Sequence, residues 1–112
     1  MVVLPLVPSV PFQRFSTTLD GVPYVIDVKW NGRAEVWSLD LLDEDEDPIR
    51  SGVRIVLGAV LGRRGIALTD PRMPTGFLVA IDLSGEGVDA GLDDLGDRVQ
   101  VHYYSADETL PT

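Results

Sequence analysis

Six carboxylates fall within eight positions at Asp40-Leu41-Leu42-Asp43-Glu44-Asp45-Glu46-Asp47, immediately before Pro48. Acids at this density suit three kinds of chemistry: gripping a hard cation, general acid–base work by a carboxylate pair, or recognition of a basic partner. Asp43-x-Asp45-x-Asp47 copies the first three ligand positions of an EF-hand loop. Pro48, however, stands where that loop needs glycine, Arg54 stands where the bidentate glutamate belongs, and no helical pattern flanks the segment. No metal site is expected here. The segment reads instead as the wet end of a hairpin, a connection of about five residues closed by Pro48.

The other chemical residues are equally unassembled. His102 is the one histidine, set between Val101 and Tyr103 without a nucleophile or base partner, and with no cysteine in the chain a zinc site is not expected. Gly85-x-Gly87-x-x-x-Gly91 is a loose match to a phosphate loop, but Glu86 and Asp89 would repel a phosphate and no strand-to-helix context follows. Serines lack a Gly-x-Ser-x-Gly elbow, and carboxylates are too numerous for a pair to single itself out. The expectation is a protein with no catalytic, metal-binding or cofactor-binding residues: not an enzyme.

The 112 residues suit one domain, and 45 % apolar with 24 % charged residues suits a folded one. A net charge of −9 disfavours nucleic acid and anionic membrane as partners. No apolar run reaches the ~20 residues of a membrane helix. Met1-Val-Val-Leu-Pro5 lacks the pattern of a signal peptide, so synthesis in the cytoplasm is expected.

What must position these residues is β structure. Eleven Gly and eight Pro leave little room for helices, while period-two runs of Val, Ile, Leu and aromatics recur. The fold class expected is all-β, a single small antiparallel barrel or sandwich with extended termini. Asn31-Gly32 suits a two-residue type I′ turn, which would pair Trp30 with Arg33, Val28 with Glu35, Ile26 with Trp37 and Tyr24 with Leu39. That register puts Tyr24, Ile26, Val28, Trp30, Trp37, Leu39 and Leu41 on one face and Asp27, Lys29, Ser38 and Asp40 on the other. Phe12–Leu19 forms the preceding strand, joined through Asp20-Gly21. Two tight turns in succession would make the even residues of Val22–Trp30 bond to both neighbours, so a bulge, a longer turn or another strand must intervene.

A further apolar alternation starts at Ile49 and runs through Val53, Ile55 and Leu57. Phe77–Leu83 and Val99–Tyr103 also alternate, joined by an acidic, glycine-rich connector with one helical turn at Asp93–Leu95. Leu61–Thr75 reads as an irregular excursion with a basic tip at Arg63-Arg64. In domain terms the chain divides into an extended proline-rich arm (1–11), a β-domain (12–104) and a tail (105–112). Prolines 5, 8 and 11 repeat at the period of a polyproline II helix. With no flanking basic residue, the arm is expected to lie on this fold or on a neighbouring subunit, not in a proline-binding domain.

Trp30-Asn31-Gly32-Arg33, then Val36-Trp37-Ser38-Leu39-Asp40, the acidic turn with Pro48, and Gly52-Val53-Arg54-Ile55-Val56 form one string. Pro74-x-Gly76-x-Leu78 with Asp82, Asp94-Leu95-Gly96 and the closing Val-His-Tyr-Tyr follow it. With the Leu-Pro-Leu-Val-Pro opening and Phe12, the chain resembles the cyanophage baseplate plug domain family of contractile-tailed bacteriophages, from about Leu4 to Tyr104. The resemblance implies a structural component of the virion's tail baseplate. It would be made in the host cytoplasm and packed against hub, spike or tail tube proteins and symmetry copies of itself. It carries over no catalytic residue and no cofactor. The residues expected to touch partners are Pro5, Leu6, Pro8, Pro11, Arg63, Arg64 and Tyr104. The alternative is a free-standing acidic module whose Asp40–Asp47 end binds a basic protein.

Overall fold

The computed structural model describes residues 2–57, 60–61 and 76–105. The strands are β1 (Val2–Val3), β2 (Phe12–Leu19), β3 (Val22–Asn31), β4 (Val36–Asp43), β5 (Pro48–Arg54), β6 (Val60–Leu61), β7 (Phe77–Asp82) and β8 (Val99–Tyr104). They build two antiparallel four-stranded sheets, ordered β1-β8-β7-β6 and β2-β3-β4-β5. The result is an open sandwich, not a closed barrel. The described residues contain no helix, and the turn expected at Asp93–Leu95 is a single reversal in which the Asp94 N–H donates to the Gly91 carbonyl.

The β2–β3–β4 meander resolves the conflict between its two turns, and does so at the turn that reads as tight. Asp20 and Gly21 form the two-residue reversal, with φ of 52° and 79°, closing on the pair Leu19 and Val22. Asn31 and Val36 instead enclose four residues, Gly32–Glu35. The Asn31 side-chain oxygen accepts the N–H groups of Arg33 and Ala34, each at 3.1 Å, and Glu35 takes the left-handed conformation at φ 55°. Trp30 therefore pairs with Trp37, not Arg33, and Val28 with Leu39, not Glu35.

Bonding direction explains the choice. The Trp30 N–H donates to the Pro11 carbonyl, so the even residues of β3 are committed to β2. The odd residues must then serve β4, and an Asn31–Val36 closure lets them. Pro23 is odd and lies past the last β4 pair, Tyr24 with Asp43, so its missing N–H deprives no ladder.

The register moved by four positions, an even number, so every side chain kept its expected face. Tyr24, Ile26, Val28, Trp37, Leu39 and Leu41 are all buried, with Trp30 packed against them. From the second sheet Leu78, Ala80, Val99, Val101 and Tyr103 complete the interior. Here β7 departs from its sequence alternation. The inward residues are Leu78 and Ala80, set by pairing with Tyr103 and Val101, whereas Leu83 is exposed. Both faces of β7 are apolar, so periodicity alone does not choose between them.

After β5 the chain crosses between sheets. The Ile55 N–H still donates to Trp37 of the first sheet, while Leu57 bridges Ala80 of the second. Of the expected alternation, Val53 and Ile55 are buried and Ile49 and Leu57 are partly so. Non-strand residues also join this core: Leu4 and Leu6 from the arm, Ala90 and Leu95 from the connector. Each buried leucine contributes about 1.5–3 kcal/mol relative to exposure.

Candidate functional site

The acidic hairpin end between β4 and β5 is organised by its own backbone. One Asp43 side-chain oxygen accepts the N–H groups of Asp45 (2.9 Å) and Asp47 (3.0 Å), and Glu46 adopts φ 64°. Ligand capacity is thus turned inward to form the turn. Among the described residues no group of three His, Cys, Asp or Glu is placed to hold a metal ion.

The solvent-side face of β2–β3–β4 carries a charge ladder. Asp27 and Asp40 face each other across β3 and β4, a juxtaposition that by itself destabilises a sheet. Arg14 on β2 grips Asp27 with two bonds, Nε to one carboxylate oxygen at 2.6 Å and Nη2 to the other at 2.8 Å, and also pairs with Glu46. Lys29 pairs with Asp40 at 2.7 Å. Asp27 is only 4 % exposed beneath these side chains. The Arg14 bond holds its carboxyl below the ordinary aspartate value, outweighing burial, which pushes the other way.

A pH dependence follows. A depressed carboxyl stabilises the fold above its unfolded value and loses that contribution as pH falls through the folded one. Arg14→Gln removes the depressing partner and leaves burial to raise Asp27. The variant is expected to melt below the parent at neutral pH, with the gap closing as the solution is acidified past the ordinary aspartate range. Paired thermal melts across pH test this, and a gap independent of pH would refute it.

A second cluster pins the connector. Asp82 accepts bonds from the Ser84 hydroxyl and from the N–H groups of Ser84 and Gly87, which with Arg98 lower its carboxyl to about 2. Arg98 also donates to the carbonyls of Val88 and Asp89 and meets Asp94 and Glu86. The apparent phosphate loop is therefore a folded turn around an internal carboxylate. His102, 8 % exposed, bridges Gln100 and Tyr104 on its own strand, and burial lowers its pKa. It faces away from the sandwich interior, opposite Val3 and Val79.

The arm is strapped to this fold. Val2 and Val3 pair with Tyr103 and His102, and the Leu4 N–H donates to Val101. The Gln13 amide clips Val7 from both sides, accepting its N–H at 2.8 Å and donating to its carbonyl at 2.7 Å. Ser9 bonds Leu92 through its N–H and Asp93 through its hydroxyl. Nothing in the sequence marks Gln13 for this task, because it reads as an ordinary strand residue.

Of the residues expected on partners, Pro5, Pro8 and Pro11 are exposed along this strap, and Tyr104 is half-buried at the end of β8, near where the strap begins. Leu6 is a correction: it is buried in the protein's own core, where its side chain is not available to a partner. Arg63 and Arg64 lie outside the described residues. Sequence pattern does not mark the exposed apolar side chains of the strap and its junction with β2, namely Val7, Val10 and Phe12, nor Leu83 and Val88 after β7.

These features define a β-sandwich whose polar residues fasten the fold to itself, a structural module in class. The chain belongs to the family described as Cyanophage baseplate Pam3 plug gp18, whose family model matches residues 1–107. It is thus a structural component of a bacteriophage tail baseplate and a part of the virion. No curated protein matches the chain.

Proposed function

We propose that the protein is a non-enzymatic packing piece. It is made in the host cytoplasm and built into a contractile tail's baseplate against hub, spike or tail tube proteins and against symmetry copies of itself. The observation that carries this reading is the family match over residues 1–107, joined to carboxylates that hold the fold's own turns and strands. Asp43, Asp82 and Asp27 each hold a turn or a neighbouring strand, and the facing carboxylates of Asp27 and Asp40 are each paired with a cation. The exposed strap prolines and the apolar residues Val7, Val10 and Phe12 supply contact area. A −9 charge keeps such a piece off the phage genome.

The test is a map of the intact baseplate at side-chain resolution. The fold is expected within it, with Pro5–Phe12 and neighbouring strand edges against other subunits. Particles that lack this chain, or that hold it with the strap facing solvent, would refute the proposal.

A further inference from the structure

Among the described residues, each edge strand of the two sheets except β2 is protected. β1 and β6 have two residues each. β5 opens on Pro48, carries Arg50 and Arg54, holds Gly52 at φ 68° and breaks register twice against β4. Such irregularity and charge are the usual defences against edge-to-edge pairing. β2 has no such irregularity, and its one charge, Arg14, is already paired with Asp27 and Glu46. It pairs residue for residue with β3 over all eight positions, and Phe-Gln-Arg-Phe-Ser-Thr-Thr-Leu contains no proline, glycine or carboxylate.

The open half of its ladder is defined. Because the even residues of β3 bond to odd residues of β2, the N–H and C=O groups of Phe12, Arg14, Ser16 and Thr18 point away from the sheet. All four residues are exposed.

We infer that this edge pairs antiparallel with β2 of a second copy, around a two-fold axis at Phe15. The inference rests on the packing reading above and names the surface and the occupant. Bonding requires even residues to oppose even residues. Centring on Arg14 would set two guanidinium groups face to face. Centring on Phe15 sets Arg14 against Ser16 and Phe12 against Thr18 of the second copy, with no like charges opposed. The two Phe15 rings then meet as a non-hydrogen-bonded pair, the closer of the two antiparallel spacings and one that favours aromatic neighbours. Electrostatics select the same edge. Two chains of net charge −9 repel, and along β2 the nearest carboxylates, Asp27 and Glu46, are already paired with Arg14. An eight-residue edge is smaller than a standard interface of ~1,600 Å², so association is weak when free and promoted where a particle holds copies side by side.

Sedimentation velocity on the purified full chain, from micromolar to millimolar concentration, tests this. Dimers are expected, and more of them as salt is added, since screening relieves the repulsion. Ser16→Pro removes an outward N–H and no internal bond, so it should weaken dimerisation about tenfold or more through two symmetry-related lost hydrogen bonds. Ser16→Lys should do the same through charge if the proline variant folds poorly. The chain has no cysteine, so Phe15→Cys should give a disulfide-linked dimer on oxidation while Thr17→Cys, displaced from the axis, should not.

A monomer at every concentration overturns the inference, as does a dimer indifferent to both Ser16 variants. So does a monomer whose folded Ser16→Pro form is excluded from baseplates, which would assign the edge to a strand of another baseplate chain. Absence of the chain from tails would defeat the packing reading and leave the dimer measurement intact.

Discussion

Replacing Trp37 with alanine is expected to cost about 3–5 kcal/mol, the range for deleting a buried large aromatic side chain. Against a typical domain stability of about 5–15 kcal/mol, that leaves the variant marginal. The indole is 1 % exposed and sits where three elements meet. It projects from β4 into the interior, packs at 5.4 Å and 56° against Trp30 of β3, and its Nε1–H donates to the Gly91 carbonyl at 2.9 Å. Alanine there opens a cavity under the meander and strands the Gly91 acceptor at once. Trp37→Phe separates the two effects. It keeps most of the ring volume and loses the bond, at about 1 kcal/mol. Urea unfolding followed by the fluorescence of Trp30 measures both, and a near-neutral alanine variant would mean that this face is not the core.

The contrast between Trp37 and Asn31 shows what a sequence of this kind reveals. The side of the sheet on which Trp37 lies depends on parity, and parity is written in the alternation of Tyr24, Ile26 and Val28 with Asp27 and Lys29. The residue opposite Trp37 depends on loop length, which Asn-Gly suggests but does not dictate. The decision came from elsewhere: Asp20-Gly21 took the tight turn, and β3 could offer its even residues to only one neighbour. Turn preference is local and worth little beside eight ladder pairs on either side of one strand.

β7 shows the opposite limit. Its two faces are both apolar, so its inward set became defined only by Tyr103 and Val101 across from it.

At the surface, the acidic segment was readable as the turn of a hairpin closed by Pro48, but not the Asp43 side chain that organises it. The strap was readable in part. Its proline period announced an extended arm, but Leu6 reads equally well as a side chain for a partner or for the core. Its backbone lies close against Gly96, ninety residues away in sequence. The edge of β2 was legible as a strand yet not as an edge, since strand order is a property of the assembled sheet.

Gly96 is where the strap's attachment is most exposed to a single change. It holds φ 96°, a conformation that costs an L-residue about 1–2 kcal/mol, and a Cβ there would come within 2.6 Å of the Leu6 carbonyl oxygen and 2.9 Å of its carbon. Those atoms are backbone and cannot rotate aside, so Gly96→Ala must move either the strap or the turn that joins the connector to β8. The turn is held by the Gly96 N–H donating to Val99 and by Leu95, which is fully buried. The strap is held by a two-residue strand, the Gln13 clip and Ser9. The strap is the weaker side and should lift, drawing Leu6 from the core. Backbone strain, overlap and lost burial together should cost about 2–4 kcal/mol. Amide exchange should rise steeply at Leu4, Val7 and Ser9 while the β3 and β4 amides stay protected. Limited proteolysis should cut within residues 4–11 before any other site. Uniform loss of protection across both sheets would instead show that the strap is integral to the fold, and retention of all three protected amides would show that the Leu6–Gly96 approach is not the contact that fastens it.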